Sequence, residues 1–143
     1  MYKTLLIPVN IDDTRHVKHA MQTAIAIAQR DNAALHVVTV VPGFGMPLVA
    51  SFFPEDAMQE VKKEIAKRLH DYIAQTVPDS VKTTPKIMEG DPPELIVEYA
   101  DAIGADLIVM PPHDRGSVNQ ALLGSCTMKV AQHAHCSVMV VRG

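Results

Sequence analysis

The sequence predicts an α/β protein, a three-layer sandwich with a five-stranded parallel sheet and helices on both faces. Two observations carry this. Short apolar runs rich in β-branched residues recur along the 143 residues. Between them lie stretches whose apolar residues fall at helical spacing, set off by capping and turn residues. Strand and helix alternating five times build parallel strands through crossover connections.

The elements follow in order. Residues 3–9 form a nearly uncharged run of β-formers, the pattern of a strand buried on both faces. Asn10, Asp12, Asp13 and Thr14 then supply capping groups and negative charge for a helix start. Val17, Ala20, Met21, Ala24 and Ala28 recur at helical spacing and carry that helix to about Gln29. Residues 34–41 make a second apolar strand, stopped by Pro42-Gly43. Pro54, Glu55 and Asp56 open a long helix with an apolar stripe of Met58, Val61, Ile65, Leu69 and Tyr72. The more polar run 83–89 reads as a strand at a sheet edge. Gly90 to Glu94 turns into a third helix with Ile96, Tyr99, Ala100 and Ile103 facing inward. Residues 106–110 form a fourth strand, Gly124-Ser125 opens a fourth helix, and Ser137 to Val141 is a fifth strand.

Composition narrows the function. Thirteen Lys and Arg against sixteen Asp and Glu give a net charge of −3, without the basic face that nucleic-acid binding requires. With 48% apolar and 20% charged residues, the chain reads as one globular domain over residues 1–143. Two cysteines imply no disulfide framework, and a reducing cytoplasm fits. The start lacks a targeting pattern, and no apolar run approaches the ~20 residues of a membrane span.

In such folds ligands bind outside the carboxyl ends of the strands, where strand order reverses. The first strand ends at Pro8-Val9-Asn10 and the fourth at Met110-Pro111. If these strands are neighbours, their loops face each other across one crevice. Gly124-Ser125 at a helix start offers backbone N–H groups, a hydroxyl and the positive end of a dipole, a seat for phosphate as well as an ordinary N-cap.

Several stretches together resemble the universal stress protein family. They are the opening Tyr2-Lys3-Thr4-Leu5-Leu6-Ile7-Pro8-Val9-Asn10, the run Leu107 to Met110, His113, Leu122-Leu123-Gly124-Ser125, and His133 to Arg142. The resemblance covers the whole chain. It implies an adenine nucleotide alpha hydrolase-like fold with strand order 3-2-1-4-5, a cytoplasmic dimer associated with stress, and in many members ATP in the crevice. Nucleotide-binding members carry Gly-x-x-Gly, nine residues, then Gly-Ser or Gly-Thr. Aligned on Gly124, the first two glycines fall on Pro111 and Asp114. Pro111 removes an N–H donor and Asp114 adds negative charge, which Arg115 and His113 can offset. Where the family often has Asp to meet adenine, this chain has Asn10, whose amide both donates and accepts. Pro8 and Val40 match positions that line the adenine side. The implied site for ATP or AMP, with or without Mg, is thus Pro8, Asn10, Val40, Met110, Pro111, Asp114, Arg115, Gly124, Ser125 and Cys126.

Other readings stand beside this one. A regulatory dimer without nucleotide keeps the fold and acts through surface contacts with a regulatory partner. Slow ATP hydrolysis would draw on Asp12, Asp13, His113 and Asp114, though acids beside a helix start are commonly caps. Cys126 in a first helical turn would have a lowered thiol pKa, or serve as a small buried apolar group. His133, His135 and Cys136 have a metal site's composition but not its convergence, so no metal is expected. The fifth strand, apolar and nearly uncharged, reads as an edge open to a second copy, and the resemblance implies dimerisation through it. The loop 42–54, which holds Phe44, Phe52 and Phe53, reads as a lid or a second contact.

Overall fold

The computed structural model describes residues 1–41, 55–111 and 124–142. Its elements are β1 (Thr4–Pro8), a 3-10 turn (Thr14–Val17), α1 (Lys18–Asp31), β2 (Ala34–Val41), α2 (Glu55–Thr76), β3 (Thr83–Glu89), α3 (Pro92–Ile103), β4 (Leu107–Met110), α4 (Ser125–His133) and β5 (Ser137–Val140). The five strands form one sheet in the order β3-β2-β1-β4-β5. Each neighbouring pair is parallel. Leu5 at the centre stands opposite Leu35 on one side and Leu107 on the other.

The alternation of side chains along each strand divides the core in two. Leu5, Ile7, Leu35, Val37, Leu107 and Val109 face α1 and α2, meeting Val17, Ala20, Met21, Ala24 and Leu69. Leu6, Val38, Ile108 and Met110 face α3 and α4, meeting Ile96, Ala100 and Val130. Burial on both faces is why β1, β2 and β4 read as unbroken apolar runs. The edge position expected of the polar strand β3 is the observed one, and β5 forms the other edge. Tyr99 and Ile103 are half-buried against the second cluster. Met58 falls outside the described side chains.

The start of the first helix differs from expectation. The segment after β1 caps itself instead of α1. Asn10 Oδ1 accepts from the Asp12 N–H at 3.0 Å, and the Asn10 carbonyl accepts from the Asp13 N–H at 3.0 Å. This is a local Asx turn, which competes with capping for the same oxygen. The chain then makes the 3-10 turn, and neither it nor α1 has a side-chain cap. Both α1 and α3 end in a left-handed residue, Asn32 at φ 54° and Gly104 at φ 66°. Each turns an N–H back onto the helix's last carbonyls.

Carboxylates hold the amino end of β1. Lys3 N donates to Asp106 Oδ2 at 2.9 Å and Thr4 N to Asp106 Oδ1 at 3.1 Å. Asp106 N returns a bond to the Thr4 carbonyl at 3.0 Å. Tyr2 N donates to Asp31 Oδ2 at 3.0 Å. Arg30 grips both Asp31 oxygens, at 2.8 Å and 3.0 Å.

Two consequences can be measured. Asp106→Ala removes two hydrogen bonds to a carboxylate and is expected to cost about 1–3 kcal/mol. Urea unfolding would show a lower midpoint at unchanged slope; an unchanged midpoint would mean that apolar burial alone sets β1. The second concerns acid. The Arg30 hydrogen bonds, then the Tyr2 N–H, hold the Asp31 carboxyl well below the usual carboxylate range. The unfolded group titrates near pH 4, so this stabilisation is complete above about pH 4 and fades as pH falls toward the folded value. Asp31→Asn should therefore lower Tm at pH 7 and flatten its decline below about pH 4. Parallel acid limbs for the two proteins would contradict this.

Candidate functional site

A cleft of about 450 Å³ opens at the carboxyl end of the sheet. Its floor is Pro8, Val9, Asn10, Ile11 and Asp12 after β1, with Thr39, Val40 and Val41 of β2. Its walls are Val61 and Ile65 of α2, Pro92 and Ile96 of α3, Met110 and Pro111 after β4, and Cys126 and Thr127 of α4.

Local chemistry explains why the sheet opens here. Pro8 has no N–H, and the next residue, Val9, donates to Val38 of β2 at 2.7 Å. Successive N–H groups of a strand point to opposite sides, so the donor that Pro8 lacks is the one toward β4. The β1–β2 register accordingly runs on to Pro8 opposite Val38. The β1–β4 register pairs only Leu5 with Leu107 and Leu6 with Ile108. β1 and β4 part at the point where their crossovers leave for opposite faces.

The described chain around the mouth is tied down at several points. Thr127, 1% exposed, donates its hydroxyl to the Pro111 carbonyl at 2.9 Å, binding the first turn of α4 to the end of β4. Val141 N donates to Met110 O at 3.0 Å. On the β1 side, Arg68 of α2 reaches Asp12 Oδ1 with Nη1 at 2.9 Å and the Ile11 carbonyl with Nη2 at 3.1 Å. Gly90 N donates to Val41 O at 3.1 Å. Gly90 sits at φ 140°, and a Cβ there would meet Leu95 Cδ1 at 3.1 Å.

Six residues of the implied nucleotide site line the cleft, Pro8, Asn10, Val40, Met110, Pro111 and Cys126, as does Asp12, named for hydrolysis. Gly124 and Ser125 precede Cys126 at the start of α4 and are not among the lining residues. Gly124, not Ser125, is the N-cap, and it brings no side chain to the first-turn N–H groups. Asp114 and Arg115 lie outside the described residues, as do His113, Phe44, Phe52 and Phe53.

Thr39, Val61, Ile65, Pro92, Ile96 and Thr127 were not foreseen as site residues. Val61, Ile65 and Ile96 sit on stripes that periodicity assigns to the core, and a stripe does not reveal where core becomes wall. A usable signal was position. Helices run antiparallel to the strands in such sheets, so their early turns stand at the sheet's carboxyl end. Outside the cleft, His135 Nδ1 faces Asp101 Oδ2 at 3.0 Å. His36 Nδ1 meets the Tyr99 hydroxyl at 3.1 Å, and burial lowers the His36 pKa.

The chain matches the Universal stress protein family over residues 1–142. It is 33% identical to universal stress protein MJ0531 of Methanocaldococcus jannaschii, covering 99% of this chain and 83% of that protein. It is 32% identical to a universal stress protein of Thermus aquaticus, covering 99% of this chain and 100% of the other. The solved structure of MJ0577 superposes with a TM-score of 0.81 at 27% identity, covering 100% of this chain and 97% of that one. Two further structures share the fold and hold nucleotides. One is a universal stress protein in complex with cAMP, with a TM-score of 0.61, 24% identity, and coverage of 99% of this chain and 97% of that one. The other is the universal stress protein from Archaeoglobus fulgidus in complex with dAMP, with a TM-score of 0.65, 20% identity, and coverage of 97% of each chain. With this match along almost its entire length, the chain belongs to the universal stress protein family.

Proposed function

We propose that this protein is a cytoplasmic regulatory module of the stress response that holds an adenine nucleotide, ATP or AMP, in the cleft. The observation that carries the reading is the cleft's make-up. It is large enough for a nucleoside, lined by apolar Val40, Ile65, Ile96 and Met110 and by the polar side chains of Asn10, Asp12, Thr39 and Thr127. An apolar lining suits the faces of a purine, and Asn10 supplies an amide beside it. On the α4 wall, where Cys126 and Thr127 line the cleft, the N-cap Gly124 brings no side-chain cap, which suits an anionic group at the positive end of the helix dipole. The cAMP and dAMP complexes of proteins with this fold support the same ligand class.

A reading without nucleotide is favoured by one observation. Pro111 stands where nucleotide-binding members have glycine; it offers no N–H, and its carbonyl already accepts from Thr127. A melting experiment separates the two readings. Ligand that binds only the folded state raises Tm by mass action, about 2.7 kcal/mol at a hundredfold excess over Kd. Millimolar AMP or Mg-ATP is expected to raise Tm by several degrees. Val40→Phe, which narrows the cleft, should diminish that shift while melting near the wild type without ligand. A Tm unmoved by either nucleotide would leave only the reading without nucleotide.

The proposal includes a homodimer through the C-terminal strand. β5 is a sheet edge whose Val138 and Met139 are only partly buried, and an uncharged edge invites pairing. Light scattering should give twice the 15.6 kDa chain mass. A mass of 15.6 kDa at micromolar concentration would count against it.

A further inference from the structure

Among the described residues that line the cleft, Asp12 is the one with a charged side chain. A carboxylate there is at odds with an anionic ligand. The structure answers this from outside the cleft. Arg68 is not a lining residue of the cleft; it stands on α2, three residues beyond the wall residue Ile65. Its guanidinium places Nη1 2.9 Å from Asp12 Oδ1 and Nη2 3.1 Å from the Ile11 carbonyl. The Asp12 side chain is 63% exposed and Arg68 42% exposed, so neither is held there by burial. The fork nevertheless engages a backbone carbonyl and a carboxylate of adjacent residues, both in the Asx turn that begins at Asn10.

We propose that Arg68 is a positioning and charge-neutralising residue for the cleft, one that raises its affinity for anionic ligands over uncharged ones. The inference rests on the nucleotide reading above. Arg68 acts through Asp12 and need not touch the ligand. Held by the guanidinium, the Asp12 carboxylate presents a neutral pair to the cleft; released, it is a bare negative charge on the lining. That charge stands at the Asn10 side of the cleft, and its field, felt across the cleft, opposes an anionic ligand while sparing an uncharged nucleoside. Lys at this position would keep the charge and lose the fork, since an ammonium cannot grip the carboxylate and the carbonyl in one plane.

The test is titration calorimetry of the full chain with ATP, AMP and adenosine, on the wild type, Arg68→Ala, Arg68→Lys, Asp12→Asn and Arg68→Ala/Asp12→Asn. Arg68→Ala should weaken ATP binding by about three- to tenfold and AMP by less, the scale of one unscreened charge near the surface acting on several phosphate charges. Adenosine should change by less than about twofold, and the ATP loss should shrink in 0.5 M salt, where the Debye length is only a few ångströms. Arg68→Lys should keep most of the ATP affinity, and adding Asp12→Asn to Arg68→Ala should restore it. Circular dichroism melts guard against a folding defect. Equal losses for ATP and adenosine, no loss for either, or no restoration by Asp12→Asn would overturn the inference while leaving the nucleotide site standing. Failure of the wild type to bind any of the three ligands would overturn the nucleotide reading itself, and this inference with it.

Discussion

β1 is held differently along its length, and the site depends on that difference. Its amino end is fastened by the carboxylates of Asp31 and Asp106, which take the N–H groups of Tyr2, Lys3 and Thr4. Its middle, Leu5 to Ile7, is wholly buried between two layers of helices. At its carboxyl end Pro8 withdraws the donor that would continue the ladder to β4. Rigid at the start and released at the end, the strand delivers its following loop to the mouth of the cleft.

The loop is anchored in the core by Val9 and Ile11 and held in shape by short polar contacts. Asn10 fixes its curvature through the Asp12 N–H, and Arg68 ties it to α2. The opposite side is tied by the buried Thr127 hydroxyl, bonded to the Pro111 carbonyl, and by Val141 N, bonded to Met110 O. The two rims are secured independently. A change at one need not travel to the other, except through the sheet that both stand on.

Most of the architecture was legible in the chain. The apolar runs of β1, β2 and β4 announce burial on both faces, and Thr83 to Glu89, being polar, reads as an edge. The site was legible where it coincides with strand ends, at Pro8, Asn10, Val40, Met110 and Pro111. It was illegible where the relevant quantity is three-dimensional. Ile65 and Leu69 share one stripe, yet one lines the cleft and the other is core, since only their height along α2 separates them. The capping of α1 was misread because Asn10, Asp12, Asp13 and Thr14 are equally good caps for a helix and for a turn. Nor does any pattern pair Arg68 with Asp12, fifty-six residues apart in sequence and joined by the packing of α2.

The turn at Asn10 has a bearing on how such sites diverge. The oxygen that shapes the loop, Oδ1, is common to asparagine and aspartate. Exchanging one residue for the other therefore leaves the backbone geometry intact and alters only the outward-facing atom, an amide nitrogen in one and a carboxylate oxygen in the other. A relative with aspartate here would differ from this chain in what the position offers a ligand and in its charge, not in scaffold. Conformation and recognition are uncoupled at this residue, so natural selection could retune the site by a single nucleotide change in the codon without having to rebuild the loop.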